Sequence, residues 1–164
     1  RDTFLDVPYE RFHGMPIPEA LTETHVPELV TPLPEKKEIT FDPDRPTLLY
    51  NFYNLDPDWK KDTPANRVLL LEPSVFKAYP ISKKSVVFML NLVQNIEGIQ
   101  VYVGEFPEFT RDHTPAKIYF KEHPLNAHYR GIEEPRDWMF QVKGYYPSFF
   151  SFWKKCKREL GLRK

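Results

Sequence analysis

A single cysteine, Cys156, only six glycines and no long apolar run set the first limits on this chain of 164 residues. One thiol cannot form an internal disulfide or a multi-cysteine zinc site, and such usage suits a reducing compartment, so a cytoplasmic location is expected. No stretch approaches the ~20 apolar residues that a membrane span needs, so no membrane partner is expected. The glycines never fall into a Gly-x-Gly-x-x-Gly, P-loop or Gly-x-Ser-x-Gly pattern, which removes the usual phosphate cradle and nucleophile elbow. Net charge is also lacking: 23 basic and 23 acidic residues cancel. No global field draws the chain to nucleic acid, and any such contact has to be local. There is neither an initiator Met nor a signal-peptide core, and a start at Arg1 leads us to expect a piece of a longer polypeptide.

Metal and acid–base chemistry find little support. His123 and His128 lie five apart with no third ligand at metal spacing, and read as structural or surface residues. Asp42-Pro43-Asp44 and Asp56-Pro57-Asp58 read as turns, because their prolines fit turn positions better than a calcium loop. Glu133-Glu134 reads as a solvated loop, and no catalytic residue is nominated.

What the chain has in excess is proline, 17 residues, eight of them within the first 46. Each fixes φ, removes an amide donor and disfavours helix in the residue before it, so residues 1–46 are expected to form an extended strap or linker. Phe4, Leu5, Val7, Tyr9, Phe12, Met15, Ile17, Leu21, Val26, Leu29 and Val30 make this segment too apolar for a freely solvated tether. It is expected to lie on a surface, in part that of an upstream domain.

From Thr47 the pattern alternates strand and helix. Residues 47–51 and 67–72 are short apolar runs of the kind a sheet buries on both faces. Ser82 then caps a helix whose inner stripe is Val86, Met89, Leu90, Val93 and Ile96, stopped by Gly98. Residues 99–105 and 117–121 are further strands, separated by a loop or short helix over 107–115, and 138–142 is a weaker fifth. The fold expected over residues 47–164 is a three-layer, Rossmann-like α/β unit, an open parallel sheet of four to five strands with flanking helices.

The most distinctive segment closes the chain. Between Gly144 and Cys156 lie Tyr145, Tyr146, Pro147, Phe149, Phe150, Phe152 and Trp153, a density expected only in a segment buried against something. Pro147 and Ser148 read as a helix start; Phe149, Phe152, Trp153, Cys156 and Leu160 form one stripe, and Gly161 ends the helix. Gly144-x-Tyr146, the spaced phenylalanines and Trp153-Lys154 resemble the end of the α/β domain of the DNA photolyase/cryptochrome family, although Tyr145 and Ser151 stand where that pattern has proline. The order strand, strand, helix, strand, strand is also similar to that domain, as is Arg67-Val-Leu-Leu-Leu-Glu-Pro-Ser followed by Ser82-Lys-Lys-Ser.

The resemblance implies the C-terminal α/β, antenna-like domain of a longer flavoprotein, a light-driven lyase that splits pyrimidine dimers in damaged DNA, or a cryptochrome-type photoreceptor. FAD would then sit in an upstream helical domain, of which residues 1–46 are the tail. A second antenna chromophore is a possible guest of this domain. At the carboxyl ends of the strands, where α/β sheets bind ligands, Asn51, Asn54, Glu72, Ser74, Glu105, Glu122 and His123 are expected. Ser82 and Lys83 would add a helix N-terminus, and Tyr53, Phe76 and Tyr79 aromatic walls. Asn51, Tyr53, Glu72, Ser74, Ser82, Lys83 and Glu105 are therefore the expected cofactor or nucleotide set. Lys154, Lys157 and Arg158, on the basic face of the last helix, are the expected DNA contacts. The alternative is a non-catalytic Rossmann-like module that binds a nucleotide or a protein partner without light chemistry.

Overall fold

The computed structural model describes residues 27–136 and 139–162, with Glu10, His13, Gly14, Pro16 and 19–23 of the N-terminal segment. Phe4, Leu5, Val7, Tyr9, Phe12, Met15, Ile17, Val26 and Trp138, all used in the sequence reading, lie outside them.

Five strands among the described residues form one sheet: β1 Thr47–Tyr50, β2 Asn66–Leu71, β3 Ile99–Val103, β4 Ile118–Lys121 and β5 Ile132–Glu134. All four pairings are parallel, in the order β3-β2-β1-β4-β5. Among the described residues four helices accompany them: α1 Pro73–Ala78, α2 Lys83–Val93, α3 Phe106–His113 and α4 Phe149–Glu159. The open α/β fold expected from the sequence is thus present.

The apolar runs are continuous because each central strand serves two cores. Side chains alternate across a strand, so Leu48, Tyr50, Leu69 and Leu71 meet Phe76 of α1 and Val86, Met89 and Val93 of α2 on one face. Leu49, Val68 and Leu70 turn to the other face, where they pack with Tyr102, Ile118, Phe120 and the α3 residues Phe106 and Phe109. Alternation thus deals every second residue of one run to a different helix layer. The α2 stripe is as expected, with Val86, Met89, Val93 and Ile96 buried, Leu90 half-buried, and the Ser82 hydroxyl accepting from the Ser85 amide at 3.2 Å.

The proline-rich strap is bound to this unit from Thr31 onward. Leu33 packs on the α1/α2 core, whereas Ile39 and Phe41 pack on the α3 core. Between them the strap passes the edge strand β3, where the Gln100 side chain donates to Thr40 O (2.7 Å) and accepts from Thr40 N (2.8 Å). That amide pair occupies strand-edge space where another chain would otherwise add. The Thr31 hydroxyl accepts from Ile81 N at 2.8 Å, and the Asn66 amide donates to Asp42 O at 2.7 Å.

Three expectations need correction. Glu133-Glu134 is no solvated loop but part of β5, where Glu134 accepts from the Trp59 ring at 2.9 Å. The fifth strand is Ile132–Glu134, and Met139–Val142 forms no strand; pairing of Tyr119 with Ile132 and Lys121 with Glu134 decides its place. The aromatic tail is also not wholly buried within the chain. Tyr145 is 91% exposed, Phe150 79% and Phe149 66%, and Cys156 is the buried residue of α4. The helix itself forms as read: the Ser148 hydroxyl accepts from Ser151 N at 3.2 Å. At its other end Gly161, at φ +67°, donates to Arg158 O and Leu162 N donates to Lys157 O, a Schellman ending. Phe140 touches Phe152 and Trp153 edge-on, with ring centres 6.5 and 6.2 Å apart, so α4 folds against its own preceding segment.

Candidate functional site

Strand order places the connections from β1 through β2 to β3 on one side and β4 with β5 on the other, so the switch point lies between the carboxyl ends of β1 and β4. Asn51 follows β1 directly and is buried. Its carbonyl oxygen accepts from Tyr53 N at 2.7 Å, and its amide donates at 3.0 Å to Asn126 of the 3-10 turn after β4. Asn126 in turn donates to Lys121 O at 2.8 Å. These two amides bridge the switch point and hold the two halves of the sheet together at that end.

Glu72 follows β2 and is 3% exposed. It accepts three hydrogen bonds from the chain itself: Phe106 N at 2.9 Å, the His128 ring at 2.8 Å and the Tyr129 hydroxyl at 3.1 Å. Burial, then the neighbouring Glu72 carboxylate, push the Tyr129 phenol far above its ordinary pKa, so it stays a donor throughout the working range. Phe106 and Tyr129 stack with centres 4.6 Å apart, which fixes both donors. Between Asn51, Glu72, Phe76 and Tyr129 only about 10 Å³ remains. A carboxylate held this way is a structural anchor for the loop after β4.

Ser74 and Glu105 pair with each other: Ser74 N donates at 2.9 Å and its hydroxyl at 2.7 Å to the two carboxylate oxygens. With Glu72, Tyr79, Leu125 and His128 they border an open groove of about 520 Å³. Tyr53 lies apart from this groove, stacked on His123 with centres 4.7 Å apart. Burial, reinforced by the Arg136 charge, lowers the His123 pKa, so its ring is held neutral. Ser82 and Lys83 are exposed at the start of α2 and do not border the groove.

Of the expected set, then, Glu72, Ser74 and Glu105 come together at one groove, Asn51 is a buried bridge beside it, and Tyr53, Ser82 and Lys83 stand elsewhere. Lys154 and Arg158 are exposed on α4 and Lys157 is half-buried, a local basic face. A further cavity, of about 890 Å³, lies at the opposite, amino end of the strands. There Arg67 donates to the carbonyls of Lys60, Lys61 and Thr63, tying the loop before β2.

Asn126, His128 and Tyr129 were not marked by the sequence reading as partners of the strand-end residues. Their separations of 75, 56 and 57 residues from those partners leave no local signal. The groove offers hydrogen bonds and aromatic edges, which suits binding; the Ser74 hydroxyl faces a carboxylate with no imidazole shown in contact. Among the described residues no group of three or more His, Cys, Asp or Glu is placed to hold a metal ion. Likewise, no helix among them is long and apolar enough to cross a membrane. Comparison with protein-family models, curated proteins and solved structures finds no match to the chain.

Proposed function

We propose that this chain is the α/β domain of a photolyase- or cryptochrome-like flavoprotein, with a structural or antenna role, and that FAD and light chemistry belong to a helical domain elsewhere in the parent chain. The observation that carries this reading is the C-terminal segment. An α/β unit with two well-filled cores presents Tyr145, Phe149 and Phe150 largely to solvent, on the residues that carry the family resemblance. Aromatic surface of that kind is characteristic of a docking face, and a neighbouring domain of the same chain would cover it. The engaged state of Asn51 and Glu72 agrees with a positioning role for the strand ends, and leaves the Ser74–Glu105 groove as the place for an antenna chromophore.

The test begins with the parent gene. The coding sequence beside this segment is expected to encode a helical flavin-binding domain, and the purified parent to carry flavin absorption and split thymine dimers under blue light. A parent with flavin but no repair places it with the cryptochrome-type photoreceptors. Absence of a flavin-binding domain removes both readings in favour of a nucleotide- or partner-binding module. Damaged DNA would meet the domain at Lys154, Lys157 and Arg158. Lys154→Glu with Lys157→Glu is expected to weaken duplex binding by the parent at low salt, and unchanged affinity removes that interface.

A further inference from the structure

Helix α2 is apolar nearly all round. After its opening lysines, Ser85 and Asn91 are the polar residues among its eleven. Val86, Met89 and Val93 are buried and Leu90 is half-buried, which accounts for the stripe that faces the sheet. The opposite face is apolar as well: Phe88 is 65% exposed, Val87 49% and Leu92 37%. A surface helix ordinarily keeps polar residues there, and a helix that is apolar on both faces belongs in an interior. Lys84, Phe88, Asn91 and Asn95 fall in one line along the outer face, with Val87 and Leu92 on its flanks.

The charges at the two ends of α2 run against its own dipole. Lys83 and Lys84 open the helix, where a carboxylate is preferred, and Glu97 stands just past its last turn, where a cation is preferred. By contrast α3 has Glu108 in its first turn and Arg111 and His113 in its last. Among the described residues no ion pair engages Lys83, Lys84 or Glu97.

We propose that the outer face of α2 is a dimer interface, and that its occupant is α2 of a second copy of this chain, antiparallel about a two-fold axis. Such an interface needs a patch complementary to itself, in which a contact of residue i with residue j is repeated as j with i. The sequence of α2 meets that condition. With the axis between the levels of Phe88 and Asn91, Val87 of each copy faces Leu92 of the other and the two Phe88 rings meet at the centre. Lys83 and Lys84 then reach the end of the other helix that carries Glu97. Charges that oppose the dipole of their own helix thus lie against the favourable end of the other, the lysines at a carboxyl terminus and Glu97 at an amino terminus. One helix face per copy buries less than the ~1,200 Å² of a standard interface, so the dimer is weak and reversible. The interface uses no residue of α4 or of the Ser74–Glu105 groove, and it does not depend on flavin chemistry.

The test is sedimentation equilibrium over a range of concentrations, on the chain carrying Phe149→Ser and Phe150→Ser so that the aromatic tail does not contribute. A reversible rise from the monomer mass to twice that mass, and no further, is expected. Phe88→Lys, an exposed change that leaves the core intact, is expected to weaken the dimer about tenfold or more. Lys83→Glu with Lys84→Glu is expected to weaken it about tenfold, as is Glu97→Lys. All three charge changes together are expected to restore it, because facing charges are then opposite in sign again. The reversals suit the dipole of α2, so the melting temperature is expected to hold or rise while the dimer is lost, which separates loss of contact from loss of fold. A monomer at every concentration, or growth beyond the dimer, overturns the proposal. So does a dimer that Phe88→Lys leaves unchanged, or one that the three charge changes together do not restore.

Discussion

At the scale of single residues, Glu72 shows how a group named for ligand chemistry becomes a keystone. The sequence placed it at a strand end, and there it lies. Its carboxylate is nevertheless committed to Phe106 N, His128 and Tyr129. Glu72→Gln keeps the volume but replaces an acceptor-only group with one that also donates into three donors. It is expected to cost about 1–3 kcal/mol, read as a lowered urea midpoint. Tyr129→Phe should cost about 1 kcal/mol, and the two together less than their sum, because both act on the same network. His123 provides the pH dependence. Its pKa is lowered on folding, by burial and then by Arg136, so the folded state binds fewer protons than the unfolded one as pH falls below the unfolded value of 6.5. Stability linked to this ring is therefore fully present above that value and lost as pH drops through the folded pKa. Ring titration followed by NMR should show a midpoint below 6.5, and His123→Gln should flatten the stability profile in that window.

At the scale of elements, the residues that announced themselves were those with a pattern. Residues 47–51 and 67–72 read as buried strands because their continuous apolar runs leave no solvent face, and β1 and β2 lie within a residue of those bounds. The period of α2 was as plain. By contrast α1 was passed over: six residues that open with Pro73 and bury one side chain, Phe76, are too short to show a helical stripe. β5 was invisible for another reason. Ile132-Glu133-Glu134 has no apolar alternation, and only pairing with β4 makes it a strand. Its approach depends on Gly131, at φ +151°, where an added Cβ would meet Ile118 O at 2.5 Å. Gly131→Ala is expected to destabilise the β4–β5 edge by about 2–4 kcal/mol, seen as a lower melting temperature and faster amide exchange in β5. Ser148→Ala, which removes the cap of α4, should cost that helix only about 1 kcal/mol.

For the whole molecule, the contrast between filled cores and a half-exposed aromatic tail sets the expectations. Phe109→Ala, at a fully buried site of the α3 core, should cost about 3–5 kcal/mol in urea unfolding. Phe149→Ser with Phe150→Ser should change the stability of the isolated chain by less than about 0.5 kcal/mol while reducing its self-association by light scattering. A large loss of stability there would show that α4 is docked in solution and that its aromatic surface is not free. The strap behaves oppositely. Phe41 packs edge-on against Phe109, with centres 6.0 Å apart, so Phe41→Ala should destabilise the α/β unit by about 2 kcal/mol although Phe41 lies outside the strand and helix elements.

The sequence by itself determined the α/β class, the four main strands, the α2 stripe and the caps of α2 and α4, because these follow from side-chain period and local hydrogen bonding. Tertiary structure decided what no local pattern encodes: which side of β1 receives β4, that the strap closes the β3 edge through Gln100 and Thr40, and that Asn51 and Glu72 take partners 75 and 56 residues away. It also left Tyr145, Phe149 and Phe150 of the aromatic tail exposed, because aromatic density in a sequence states a need for burial without naming the surface that meets it. Long-range contacts are chosen by the packing of whole elements, and that choice separates a bridged strand end from an occupied pocket.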